Sequence, residues 1–181
     1  MEAIEMLKGR RSIRKFTAEP VSDELLAKVV DSARYAPTWK NSQTARFIAV
    51  KSEELKTKIA ENAVMGFDWN TNIIKGAAVL ILLTTVDSVS GYEKDGTPST
   101  SKGSHWQSFD AGLTAEAFCL AAHEAGLGTV ILGIYDEAEV KKLAPVPAGQ
   151  SVSALIALGH PVEVPASAPK RKEVSELLTI C

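Results

Sequence analysis

Four cations crowd one hydroxyl near the start of the chain: Arg10, Arg11, Arg14 and Lys15 surround Ser12 in the run Gly-Arg-Arg-Ser-Ile-Arg-Lys-Phe at residues 9–16. A guanidinium presents a planar fork of donors that matches phosphate and carboxylate oxygens. In an extended segment side chains alternate, which puts Arg10, Ser12 and Arg14 on one face and Arg11, Ile13 and Lys15 on the other. That pattern fits an anion grip; it also fits a solvated basic loop. A second cationic knot, Lys170, Arg171 and Lys172, lies near the other end. If folding joins the two, they make a pocket for a phosphate dianion, with each charge-assisted bond worth about 1.5–3 kcal/mol net. Between them, residues 36–47 are polar and irregular. Thr38, Asn41, Ser42 and Gln43 could read a heterocycle edge or a polyol chain, and the same residue types serve an ordinary helix-to-strand turn.

The bulk of the sequence limits what these parts can serve. The chain has 181 residues, 45% hydrophobic and 23% charged, which suits one globular domain over 1–181 with its own core. The net charge of -2 argues against a nucleic-acid partner, so the basic knots act locally. Few aromatics argue against base stacking. The opening Met-Glu-Ala-Ile-Glu is not a secretory signal, and the longest apolar run, residues 77–83, is too short to cross a bilayer. A cytoplasmic chain with no membrane partner is expected, with Cys119 and Cys181 as reduced thiols. His105, His123 and His160 stand far apart, and no metal site is expected.

Periodicity supplies the elements. Residues 2–8 read as a short helix with Ala3, Ile4, Met6 and Leu7 inward, stopped at Gly9. Ser22 caps a helix whose Leu25, Leu26, Val29, Val30 and Ala33 share one face, and Pro37 lies in the turn that ends it. Residues 47–50 form a strand, 53–63 an amphipathic helix, and 65–75 an irregular aromatic stretch. The continuous apolar run 77–85 reads as a strand buried on both faces. Residues 87–104, rich in Ser, Thr and Gly, are expected to form a mobile excursion, a lid over a cleft or a tolerated insertion.

A helix over 108–125 is apolar most of the way round and crowded with small residues, among them Ala111, Gly112, Ala115 and Ala122. A buried core helix explains this, as does a helix paired with its symmetry mate. Strands at 129–132 and 152–158 flank a helix at 137–143 capped by Asp136, and the tail runs on through residues 165–172 to 173–178. Helices alternating with strands at unequal spacing indicate an α+β fold around a mixed, mainly antiparallel sheet.

Several motifs occur in a shared order: Arg10-Arg-Ser-Ile-Arg-Lys-Phe16, Ala36-Pro-Thr-Trp-Lys-Asn-Ser-Gln43, Asp110-Ala-Gly-Leu-Thr-Ala115, Gly126-Leu-Gly128, Gly159-His-Pro161 and Lys170 to Lys172. In that order and spacing the chain resembles the nitroreductase family of FMN-dependent oxidoreductases over nearly its whole length. The resemblance implies a homodimer with two FMN sites at the subunit interface, each lined by both chains. It assigns Arg10, Arg11, Ser12 and Arg14 to the first FMN segment, and Lys170 and Lys172 to the phosphate. It assigns Pro37, Thr38, Trp39 and Asn41 to the loop lent by the partner, and Gln43 is a further cofactor-binding candidate. Ile131, Leu132 and Gly133 become the backbone stretch against the flavin ring.

The implied activity is passage of hydride from NAD(P)H through flavin N5 to a flat acceptor such as a nitroaromatic or quinone. The flavin carries the chemistry, and no catalytic side chain is assigned. A flavin-binding carrier or sensor without turnover is the alternative.

Overall fold

The computed structural model describes residues 2–181. Along the chain these form α1 (Ala3–Gly9), α2 (Asp23–Ala33), a 3-10 turn (Trp39–Asn41), β1 (Ala45–Val50), α3 (Glu53–Asn62), α4 (Asp68–Gly76) and β2 (Val79–Val86). Then follow α5 (His105–Glu124), β3 (Gly128–Leu132), α6 (Glu137–Leu143), β4 (Gln150–Gly159) and α7 (Val174–Leu177). Side-chain caps fix three helix starts. Ser22, Ser52 and Asp136 each accept the backbone N–H three residues on, at 3.1, 3.3 and 3.1 Å.

The four strands pair in the order β1-β2-β4-β3, every neighbour antiparallel. Strand alternation divides the core into two layers. Leu80 and Leu82 of β2 face α3, α4 and α6, while Val79, Ile81 and Leu83 face α2 and α5. The protein is therefore an α+β sandwich with helices on both faces of one sheet, and β2 and β4 at its centre explain their near-continuous apolar runs.

Three expectations change. Residues 65–75 are not irregular throughout, because α4 occupies 68–76 and buries Asn70, Ile73 and Ile74. The sequence hid it because Phe67 at its N-cap offers no side-chain acceptor. The inward face expected for α1 is open: Ile4 and Leu7 are exposed and no residue of α1 is buried. Nor is α5 covered all round. Its Phe109 is 57% exposed, and Gly112 and Glu116 are exposed beside it.

The basic segment is laid across the ends of β3 and β4. Ile13 donates its N–H to the Thr129 carbonyl at 2.9 Å, and Ser12 bridges Thr129 in parallel. Further on, Thr17 donates to the His160 carbonyl at 2.9 Å, and Phe16 bridges Pro161. Gly128 and Gly159 are paired across the two strands directly beneath. A Cβ on Gly128 would lie 2.7 Å from Ile13 carbons, and one on Gly159 would lie 3.0 Å from the Phe16 ring. These two glycines let the segment sit down on the sheet.

Gly128→Ala should therefore lift Ile13 and cost about 1–3 kcal/mol of stability by overpacking. Urea unfolding monitored by circular dichroism measures this, and an unchanged midpoint would count against the close approach.

Candidate functional site

The two ends of the chain meet. After β4 the chain returns over the basic segment, and Val162 donates its N–H to the Lys15 carbonyl at 3.2 Å. Arg10, Arg11, Ser12 and Arg14 then share a crevice of about 410 Å³ with Pro165, Ser167, Ala168, Pro169 and Arg171. Four arginines line it and, among the described residues, no acidic side chain does. Such a hollow favours an anion with several oxygens.

The four arginines are not equivalent. Arg11 turns back on α1, and its Nη1 donates to the carbonyls of Lys8, Gly9 and Arg10 at 2.5, 3.1 and 3.0 Å. It thereby caps the helix C-terminus with one nitrogen. Arg14 donates to the Ser12 carbonyl at 3.2 Å. Arg10 Nε lies 3.8 Å from Glu116 of α5, too far for a hydrogen bond. The Nε atoms of both Arg10 and Arg11 are buried without a hydrogen-bond partner. A simple alternation of faces does not hold, since Arg11 lines the crevice beside Arg10, Ser12 and Arg14 while Ile13 is buried beneath.

At the C-terminal end all three cations are exposed, and of them Arg171 lines the crevice while Lys170 and Lys172 do not. Arg14 also borders a second hollow of about 460 Å³, with Lys15, Phe16, Trp69, Asn72, Ile73, Gly76 and Val162. Both Trp69 and Asn72 stand on α4, within the stretch expected to be irregular.

The β3 exit lies apart from this crevice. Ile131 is exposed and lines an open groove of about 670 Å³ together with Ala111, Gly112, Ala115 and Glu116 of α5. Leu132 points into the core, and a Cβ on Gly133 would meet open space.

The loop at 37–43 is separate again. Thr38 and Gln43 line a third hollow of about 330 Å³ with Arg34, Arg46, Phe47 and Thr114. Pro37 and Asn41 are exposed. The loop is tightly wound: Thr38 Oγ1 accepts the Gln43 N–H at 3.0 Å, and Ser42 donates its N–H to the Trp39 carbonyl at 2.8 Å. A single chain therefore brings together the first segment and Arg171 of the C-terminal knot, while the loop borders a different hollow.

A sequence model of the Nitroreductase family matches residues 7–69 and 66–160. The chain belongs to that family. It is 29% identical over 182 residues to the FMN reductase [NAD(P)H] of Bacillus subtilis, covering 93% of this chain and 70% of that one. The crystal structure of a nitroreductase family protein from Clostridium novyi NT superposes with a TM-score of 0.76 at 28% identity, over 93% of this chain and 89% of that one. An FMN-dependent nitroreductase from Clostridium difficile R20291 superposes with a TM-score of 0.71 at 26% identity, over 96% and 93%.

Lys40 beside the loop pairs with Glu93 at 3.1 Å. Hydrogen bonds from Ser99 and Lys40, aided by the Lys40 charge, hold the Glu93 carboxyl below its ordinary 4.5, against smaller opposing pushes from desolvation and Asp95. A depressed folded value stabilises the pair fully above pH 4.5, and the gain is lost as pH falls through the lower folded value. Amide exchange of residues 38–43 should thus be faster in Glu93→Gln than in the wild type at neutral pH. The two should converge in acid; parallel profiles at all pH values would exclude this tether.

Proposed function

We infer that this protein is an NAD(P)H-dependent flavin oxidoreductase that holds FMN in the crevice between its two ends. The observation that carries the reading is the carboxylate-free wall of four arginines with two buried Nε donors left over. A phosphate dianion fits that donor set, because buried donors without acceptors are costly and an anionic ligand satisfies them. Arg10, Arg14 and Arg171 are the groups to hold it, with Ser12 offering a hydroxyl at the rim. Arg11 contributes its remaining nitrogens while it caps α1.

FMN bound there supplies two-electron transfer from NAD(P)H to a flat acceptor, a nitroaromatic or a quinone. The chain's own residues bind and orient. Of the strand end at Ile131, Leu132 and Gly133, Ile131 lines the open groove beside the small residues of α5 and a Cβ on Gly133 would meet open space, which leaves room for a planar group. No side chain is needed as a proton donor.

A homodimer completes the reading. Ile4, Leu7, Phe109 and Ile131 are exposed in the single chain, as are Val174, Leu177, Leu178 and Ile180 at its end. Apolar surface on that scale marks a partner-binding face. A symmetric second copy would cover it and would bring its residues 37–43 to the flavin. Two free cysteines, Cys119 and Cys181, suit a reducing cytoplasm.

Purified protein loaded with FMN should be yellow and should bleach anaerobically with NADH or NADPH, then recolour with a nitroaromatic or quinone. FMN that stays oxidised with both donors would leave a carrier, and protein that takes up no FMN would remove both flavin readings. Arg171→Ala should raise the FMN Kd about tenfold or more, the value of one charge-assisted bond. Lys172→Ala should raise it by less than about threefold, as expected of an exposed charge outside the crevice lining. Fluorescence titration of the apoprotein measures both.

A further inference from the structure

We propose that Asp110 is the positioning residue of the 37–43 loop, and that residues 87–104 brace this loop rather than close over a cleft. The inference rests on the reading above, in which that loop meets the flavin. Asp110 lies inside α5 and is 1% exposed. Its two oxygens accept the Trp39 backbone N–H at 3.1 and 3.0 Å, and Oδ2 also accepts the Ser90 hydroxyl at 2.8 Å. No ion pair among the described residues reaches it. A carboxylate in such a place is held by these donors alone, and they come from the two segments in question.

The loop needs an external hold. Lys40, Asn41 and Gln43 have φ values of 44°, 55° and 47°. Residues with side chains adopt this left-handed region at a cost and stay there only where the surroundings impose it. Asp110 anchors the first amide of the 3-10 turn that holds Lys40 and Asn41 and leads into Gln43. The 87–104 segment adds a further contact, since Glu93 pairs with Lys40, and Trp106, in the first turn of α5 just beyond it, packs on Trp39 with ring centroids 4.8 Å apart and the rings tilted at 46°.

The brace is itself closed. Ser99 donates its N–H to the Gly91 carbonyl at 2.9 Å, and Trp106 Nε1 donates to Thr100 at 2.9 Å. Ser90 is fully buried at its base. A Cβ on Gly91 would lie 2.5 Å from the Gly103 carbonyl oxygen, so the segment folds on itself as tightly as its backbone allows. A lid that opens would have to break the Ser90 bond to Asp110 and release the loop with it.

The test compares wild type, Asp110→Asn and the milder Ser90→Ala, all loaded as dimers with FMN. Urea midpoints show whether each variant folds. Asp110→Asn should speed amide exchange at Trp39 and Gln43, raise the FMN Kd about tenfold, and alter the band shape of bound flavin. Ser90→Ala should do the same to a smaller degree with its midpoint near that of the wild type. A merely structural role would instead lower the midpoint and speed exchange throughout α5 and the sheet, with flavin affinity and spectrum unchanged in the folded fraction. That result, or wild-type exchange in residues 38–43 of both variants, would overturn the proposal. Wild-type protein that bound no FMN would overturn the proposed function and this inference with it, an outcome distinct from variants that bind as tightly as wild type.

Discussion

The arrangement depends on one close approach, the crossing of the basic segment over paired glycines at the ends of β3 and β4. Ile13 sits on Gly128 and Phe16 on Gly159, with Ile13 hydrogen-bonded to β3 and Thr17 to His160 just past β4. Because Ile13 is anchored in the core, its polar neighbours are fixed at the surface. Because β4 ends at the same place, the chain that leaves it passes over the cations that precede it. The crevice between Arg10, Arg14 and Arg171 follows from that crossing, which sets cations from both ends around one space.

Helix α5 is the second organising element, and its composition reflects two duties. On its buried side Phe118, Cys119 and Ala122 pack on the sheet. Toward the open groove it shows Gly112, Ala115 and Glu116, small enough at two positions to leave space beside Ile131. Near its start Asp110 gathers the loop after α2 and the segment before α5 itself. The helix thereby couples regions far apart in sequence: Glu116 stands near Arg10 at one place, and Asp110 holds Trp39 at another.

Much of the fold was legible from local pattern. Caps at Ser22 and Asp136 placed two helices, and the apolar run before Thr85 placed the central strand. Helix α4 escaped because it lacks a capping side chain. Lys56 escaped too: it reads as a surface residue of an amphipathic helix, yet it is buried, bonded to the Ala77 carbonyl and paired with Glu53 at 2.7 Å. Asp110 left a signal that could have been used, since a lone acid within an apolar helix must find donors. Which donors it finds is a long-range matter, 71 residues away for Trp39.

The sequence by itself determined the chemistry on offer: cations in short knots, a polar loop, glycines ahead of a strand, and a helix of small residues. Those are properties of residue type and spacing, readable without coordinates. Tertiary structure alone decided which cations share a crevice, choosing Arg171 over Lys170 and Lys172, and turning one nitrogen of Arg11 back onto α1. It also decided that α1 and one side of α5 stay uncovered in a single chain. The reason is physical: propensity and periodicity act over a few residues, whereas side-chain direction at an irregular segment is set by whatever the distant chain packs against it.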